Sequence, residues 1–295
     1  MLIDSEKAFD AFLERAATAP LVTLDTEFVW NSTYYPILGI VQAGFDDTAL
    51  FLLDVPALGP AFRRFGAILE NPACEKILHD AQQDLAILRR ETGSNPVRVF
   101  DTRRAAGVVG CLSTLSLQNL ARDLLGVELS KSETLTDWCR RPLTPKQLDY
   151  ARDDIRHLPA LRQTILDRAR AAGHEAWIAE EMLPFDDAAL YDESSPTLMF
   201  ERVKGARDLR ARSRAVLREL AAWREREARR QDRPRGHVIP DLVLSDIARR
   251  PPKTREALAQ IEGAWWPNTP KAFSNVWPLR WIWRRRSVRR CRGRR

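Results

Sequence analysis

The sequence predicts an α/β protein: a mixed sheet flanked by helices, followed by a small all-α region. Three observations carry this prediction. Short apolar runs open the chain as an antiparallel group and then alternate with helical patterns. An acidic stretch rich in breakers, from about residue 183 to 197, interrupts that texture with Pro184, Asp186-Asp187 and Asp192-Glu193-Ser194-Ser195-Pro196. Beyond it only helical periodicity remains. The 295 residues leave room for one large domain or two smaller ones.

Taken in order, residues 21–24, 37–41 and 49–53 read as strands, each apolar and closed by a polar or turn signal. Gly44 and Asp46-Asp47 supply a hairpin turn between the second and third. A helix is expected over about residues 60–69, and a short strand at 76–78 leads into a helix from about 81 to 90. Another short strand, 97–100, precedes helices for most of the stretch to residue 172. In the second region, helices are expected over 208–230, 241–249 and 253–261, the first with Val216, Leu217, Leu220 and Trp223 at helical spacing. No internal repeat is visible.

Composition narrows the class. Hydrophobic residues make up 44% and charged residues 29%, as in an ordinary soluble globular protein, which excludes a mostly disordered chain or a collagen-like fibre. No apolar run approaches the roughly 20 residues needed to span a bilayer, and Met1-Leu2-Ile3-Asp4-Ser5-Glu6 lacks the basic start of a signal peptide. The expectation is a cytoplasmic protein with no membrane partner. Cys74, Cys111, Cys139 and Cys291 stand far apart with no CxxC pair, so neither a zinc site nor a disulfide framework is indicated.

The net charge of +7 is unevenly spread. Residues 264–295 hold ten Lys or Arg and no acid, which leaves 37 basic against 40 acidic residues over positions 1–263. The body is slightly acidic, so the basic total does not itself argue for nucleic acid. The tail also holds five of the nine tryptophans and shows neither helical nor strand period. One reading is an Arg/Trp-rich arm for nucleic acid or membrane surfaces. The reading preferred here is a frameshifted end, because back-translation read one base earlier permits a well-formed amphipathic helix. That would leave the second domain truncated.

Three groups of acids could carry chemistry. Asp25 and Glu27 end the first predicted strand two residues apart, so they project to one face while Thr26 points to the other. At an effective dielectric near 20, two such charges about 4 Å apart repel by about 4 kcal/mol. A divalent cation would remove that cost. In His79-Asp80-Ala81-Gln82-Gln83-Asp84-Leu85, Asp80 is placed as a helix N-cap, and Asp84 lies one turn in beside Ala81, Leu85 and Leu88 on the apolar face. Tyr150 and Asp154 share a helical face with Ala151, Leu158 and Leu161, whereas Asp153 falls on the solvated side. Each motif alone is common in purely structural roles.

Together they are specific. A D-x-E at the end of a first strand, an Asp on an early helix and a Tyr-x3-Asp on a later one resemble the DEDD superfamily of 3′–5′ exonucleases in its tyrosine form. Within it the chain is similar to the ribonuclease D family. The likeness extends to Thr33-Tyr34-Tyr35-Pro36-Ile37-Leu38-Gly39-Ile40-Val41-Gln42, Phe100-Asp101-Thr102, Leu125-Gly126-Val127-Glu128-Leu129-Ser130-Lys131 and Asp137-Trp138-Cys139-Arg140-Arg141-Pro142-Leu143, covering about residues 5–175. The later region resembles the HRDC domain through Trp223-Arg224, Asp232-Arg233-Pro234-Arg235, Asp241 and Ile247-Ala248, and that likeness stops near Gly263.

The resemblance implies a ribonuclease H-like sheet over residues 1–178, a linker over 179–205, a partial HRDC-like helical domain over 206–263 and the aberrant tail over 264–295. It implies a metal-dependent 3′–5′ exoribonuclease that releases 5′-mononucleotides from RNA 3′ ends, with precursor tRNA as the expected substrate. Asp25, Glu27, Asp84 and Asp154 would hold two Mg²⁺ or Mn²⁺ ions, hard cations suited to an all-carboxylate set. Tyr150, with a reference pKa near 10, is a poor base at neutral pH and is assigned to orienting the attacking water. Phe28 either packs on a terminal base or belongs to the sheet core. Lys131 and Arg141 either bind phosphates of the substrate strand or are solvated surface charges. A DNA 3′–5′ exonuclease and a catalytically weak nucleic-acid-binding scaffold are the alternatives; loss of one acid would mark the scaffold, and all four acids are present.

Overall fold

A computed structural model describes residues 1–112, 115–129 and 136–252. The chain divides into two compact units: Met1–Trp30 with Pro36–Asp192, and Asn31–Tyr35 with the chain from Glu193 onward.

Among the described residues the first unit is built on six strands, β1 (Leu2–Ile3), β2 (Leu21–Val29), β3 (Ile37–Gly44), β4 (Leu50–Asp54), β5 (Glu75–Leu78) and β6 (Val99–Asp101), ordered β1-β4-β3-β2-β5-β6. β2, β3 and β4 form an antiparallel meander, β5 and β6 continue in parallel from β2, and β1 runs parallel to β4 at the far edge. This is the expected mixed sheet, with each expected strand in place. β1 was not foreseen, being two residues long and so too short for a periodic signal. Around the sheet lie helices α1 (Glu6–Thr18), α2 (Val55–Leu58), α3 (Gly66–Glu70), α4 (Gln82–Thr92), α5 (Thr102–Val108), α6 (Leu117–Leu125), α7 (Pro145–Arg156), α8 (Leu158–Ala172) and α9 (Glu175–Met182). The single helix expected over 60–69 is a 3₁₀ turn, Gly59–Phe65, followed by α3.

Strand alternation sorts the core into two faces. Val22 and Leu24 of β2 enter one apolar cluster with Phe9 and Phe12 of α1 and Leu85 and Leu88 of α4. On the other face Ile77 and Phe100 pack with Leu158, Leu161 and Ile165 of α8. Beside them Ile40, Leu52, Trp138, Tyr150 and Ala151 form a smaller cluster under α7. Along β2, β5 pairs with Leu21–Thr23 alone, so among the described residues the second half of β2 has no strand neighbour on that side. Its register with β3 also shifts between Glu27 and Phe28.

The expected linker over 179–205 is instead folded. Phe185 and Tyr191 are buried in the first core, with the Tyr191 hydroxyl donating to the Phe185 carbonyl at 2.7 Å. Met199 and Val203 are buried within the second unit. The breaker-rich composition produces short 3₁₀ turns, and most of these turns carry a buried apolar anchor that composition alone hides. The boundary falls between Asp192 and Glu193.

In the second unit α10 (Ala211–Gln231), α11 (Arg235–Val238) and α12 (Asp241–Arg249) pack around Val216, Leu217, Leu220, Trp223, Leu244 and Ile247. Asp232, in the left-handed conformation that ends α10, accepts the backbone N–H groups of Tyr34 and Tyr35 at 3.1 and 3.0 Å. The expected helix over 253–261, the tail and Cys291 lie outside the described residues. Cys74, Cys111 and Cys139 are free thiols. Among the described residues no helix is long and apolar enough to cross a membrane.

Candidate active site

The first two acids come from the half of β2 that runs past β5. Asp25 lies opposite Gln42 and Glu27 opposite Ile40 on β3, on the sheet face that α7 covers. The Asp25 carboxylate accepts the backbone N–H of Thr26 at 2.9 Å through Oδ1.

Asp84 arrives on the first turn of α4, and Asp101 is what places that turn. Its carboxylate accepts the N–H groups of Asp80 (3.2 Å), Ala81 (3.0 Å), Arg103 (2.8 Å) and Arg104 (3.2 Å), so one side chain caps α5 and ties down the turn into α4. The expected role of Asp80 is corrected here. Asp80 has a φ of 62° and pairs with Arg103, and Ala81 stands at the N-cap without a side-chain bond. Asp101 reached back across the β5–β6 pair and took the capping work Asp80 was expected to do. The Thr26 hydroxyl donates to Asp84 Oδ1, joining β2 to α4.

Tyr150 and Asp154 come from α7. Its start is fixed by a capping box: the Thr144 hydroxyl accepts from the Gln147 N–H at 3.2 Å, and Gln147 Oε1 accepts from the Thr144 N–H at 2.8 Å. Pro145 occupies the first turn. Tyr150 and Asp154 then share the buried face one turn apart, and the Tyr150 hydroxyl donates to the Asp154 carboxylate. Asp153 points away to Arg156 at 3.2 Å. The Trp138 ring lies 6.2 Å from that of Tyr150. Gly39 permits the approach, because a Cβ there would collide with the Trp138 carbonyl.

These four carboxylates feel one another. Burial raises Asp25 well above the usual range, and the charges of Asp84, Asp154 and Glu27 raise it further. Glu27 is pushed up to about 8 by burial and then by Asp154 and Asp84. Burial lifts Asp154 to about 7 against the opposing Tyr150 hydrogen bond, and Asp84 to about 6 against that from Thr26. Burial first, then the charges of Asp154, Glu27 and Asp25, drive Tyr150 far above its ordinary range, so it stays protonated. Among the described residues no Lys, Arg or His forms an ion pair with any of the four acids.

The donor set is all carboxylate oxygen, which suits Mg²⁺ or Mn²⁺ and offers nothing to softer metals. Among the described residues no three carboxylate, imidazole or thiol groups are spaced as a closed shell for one ion. The fit is therefore one of charge and donor type: uncompensated acids that a divalent cation would neutralise.

The remaining expectations resolve differently. Phe28 packs, partly buried, against the first core. Arg141 is corrected: all five of its N–H donors are committed within the protein. Nε and Nη2 grip Asp54 at 2.5 and 2.7 Å, Nη1 reaches the Trp138 and Arg140 carbonyls, and Nη2 also reaches that of Gly39. A buried carboxylate outcompetes a substrate phosphate for that fork. Lys131 lies outside the described residues. Sequence reasoning missed Thr26, Asp101 and Gln42. Gln42 is fully buried across from Asp25, with neither amide atom partnered among the described residues. An Asp immediately before a helix was a readable signal for Asp101, and Gln42 closes a segment that carries the family resemblance; Thr26 had no signal beyond lying in the D-x-E motif.

A mixed sheet whose longest strand carries paired acids, joined by acids from two helices, defines a 3′–5′ exonuclease domain. The family model described as 3′–5′ exonuclease matches residues 1–169, and that for the HRDC domain matches 213–264. The chain is 40% identical over 261 residues to ribonuclease D of Desulfotalea psychrophila, spanning 88% of this chain and 69% of that protein. It is 40% identical over 245 residues to ribonuclease D of Pseudomonas paraeruginosa, spanning 83% and 64% respectively. The crystal structure of Escherichia coli RNase D, described as an exoribonuclease involved in structured RNA processing, superposes with a TM-score of 0.81 at 28% identity over 98% of this chain and 76% of that one. The chain belongs to the ribonuclease D family of 3′–5′ exoribonucleases.

Proposed function

We propose that this chain is a divalent-metal-dependent exoribonuclease that removes 5′-mononucleotides from RNA 3′ ends in the cytoplasm, with precursor tRNA as its substrate class. The observation that carries the reading is a set of four acids from β2, α4 and α7 whose charges act on one another, with no cation among the described residues in an ion pair with them. Family membership supports metal dependence, and the structured-RNA role of the E. coli relative supports a folded RNA such as precursor tRNA.

In this reading Asp25, Glu27, Asp84 and Asp154 hold two Mg²⁺ or Mn²⁺ ions, which supply Lewis acidity at the scissile phosphodiester. Asp154 and Tyr150 sit on one helix face and the tyrosine hydroxyl donates to the acid; in this reading the hydroxyl would lie beside the reacting phosphate. Being protonated, Tyr150 orients the attacking water and does not take its proton. The water oxygen bonds to phosphorus as one of its O–H bonds breaks, the bond between phosphorus and the 3′ oxygen breaks, and the proton the water gives up passes through solvent to the 3′ oxygen, leaving a 3′-hydroxyl on the chain and a 5′-mononucleotide.

The test is a timed digestion of 5′-labelled single-stranded RNA and matched DNA with Mg²⁺, with Mn²⁺ and with EDTA, beside the Asp154→Asn protein. A metal-dependent ladder shortening the RNA from its 3′ end, absent in the variant, is the expected result. Preferential shortening of DNA would move the assignment to a DNA exonuclease. Wild-type activity in the variant would sink the site.

A further inference from the structure

Thr26 is the middle residue of the D-x-E motif. Thr26 is nearly fully buried, on the β2 face opposite to Asp25 and Glu27, where α4 packs. It makes two bonds to the acids. Its N–H donates to Asp25 Oδ1 at 2.9 Å, and its hydroxyl donates to Asp84 Oδ1. Carboxylates from a strand and from a helix, 59 positions apart, are thereby tied to one residue.

Two physical features make this a clamp. A β-branched side chain has few χ1 choices, so once the strand is formed the hydroxyl has a fixed direction. Asp84 stands in the first turn of α4, where free backbone N–H groups compete for a carboxylate, and it already interacts with its own N–H. Without the Thr26 hydroxyl nothing else among the described residues holds Oδ1 toward β2.

Building on the proposed two-metal site, we infer that Thr26 is a positioning residue that presents Asp25 and Asp84 to the divalent cations in one fixed arrangement. It touches neither substrate nor ion. Outer partners of this kind set ligand orientation, and removing one typically costs about 10- to 100-fold in metal affinity.

The experiment is a calorimetric titration of Mn²⁺ into the full chain without RNA, for wild type, Thr26→Val, Thr26→Ser, Asp84→Asn and the Thr26→Val/Asp84→Asn pair. Thr26→Val keeps the shape and loses the hydroxyl, so it should bind Mn²⁺ about 10-fold or more weakly. Thr26→Ser should restore binding to within about twofold, and the valine effect should vanish in the Asp84→Asn background. Unfolding in EDTA is followed for each protein; if the valine variant does not fold, Thr26→Ala against Thr26→Ser carries the same comparison. Wild-type affinity in Thr26→Val, or serine as weak as valine, would overturn the clamp while leaving the metal site standing. A wild-type protein that binds no Mn²⁺ would overturn the site, and the clamp with it.

Discussion

Asp154 in the first unit and Glu225 in the second are both buried carboxylates on a helix, each with a tyrosine hydroxyl donating to it. Their surroundings differ. Arg235 grips Glu225 through Nε at 2.5 Å and Nη2 at 2.9 Å, and Arg229 adds a bond at 3.2 Å. Tyr34 in turn accepts from both arginines, at 3.0 and 3.1 Å. Burial alone would push Glu225 up, but hydrogen bonds from Arg235 and Tyr34, with the charges of both arginines, hold it below its usual range. Among the described residues the charges that act on the Asp154 cluster are other acids, and every member of that cluster is raised. One cluster is completed by cations from the chain itself. The other is complete as a fold and incomplete as a charge distribution, which is what a site for an external cation requires.

The contrast predicts opposite responses to the same chemical change. Glu225→Gln leaves the half-buried Arg235 without its carboxylate and Arg229 with Glu193 alone, and should destabilise the second unit by about 1–3 kcal/mol. Asp84→Asn or Asp154→Asn removes a repelled charge, so in EDTA the unfolding temperature should hold or rise while RNA hydrolysis falls about a thousandfold or more. Thermal unfolding with hydrogen exchange over α10 reads both. A loss of stability in Asp154→Asn matching that in Glu225→Gln would erase the distinction.

Removing the tyrosine hydroxyls is a gentler probe. Tyr34→Phe takes one donor from Glu225 and one acceptor from the arginines, a change that should show in the exchange protection of α10. Tyr150→Phe leaves the four carboxylates intact and should lower kcat by about 10- to 100-fold with Mn²⁺ affinity unchanged. A loss as deep as that in Asp154→Asn would mean that the tyrosine does more than orient water.

How much of this was legible in the sequence follows from the range of each signal. The strands of β2, β3 and β4 and the acids on β2 and α7 rest on periods of two and four residues, and local spacing carries them. Asp154 over Asp153 was readable because Leu158 and Leu161 mark the buried stripe. Contacts across the chain were not. The Arg141 fork needs Asp54, 87 positions away, and the capping of the α4 turn needs Asp101 from the next strand. The Glu225 cluster joins residues 31–35 to α10, which no window of sequence displays. The folded stretch 179–205 was hidden for another reason: its apolar anchors, Phe185, Tyr191, Met199 and Val203, stand singly among breakers.

The smallest effect separates the clusters by pH alone. In metal-free protein the folded-state values of Glu27, Asp154 and Asp84, about 8, 7 and 6, stand above their ordinary values of 4.5, 3.8 and 3.8. The folded form therefore holds more protons than the unfolded form across roughly pH 4 to 8, and stability must fall as pH rises through that window. Glu225 is shifted the other way; its contribution is full above the ordinary glutamate value and is lost only as pH falls below it. Two histidines act against the acids. His79 and His157 are lowered, chiefly by burial, so stability gains as pH rises toward their ordinary value of 6.5 and the gain is complete above it. Comparing wild type with Asp84→Asn/Asp154→Asn cancels the histidines and leaves the acids. In EDTA the wild-type unfolding midpoint should decline more steeply than the variant's between pH 5.5 and 8. Saturating Mn²⁺ should remove the excess slope, because bound carboxylates are already deprotonated in the folded state and affinity grows as protons leave. Parallel slopes in EDTA would mean that the four acids ionise independently, and the charge deficit on which the metal site rests would disappear.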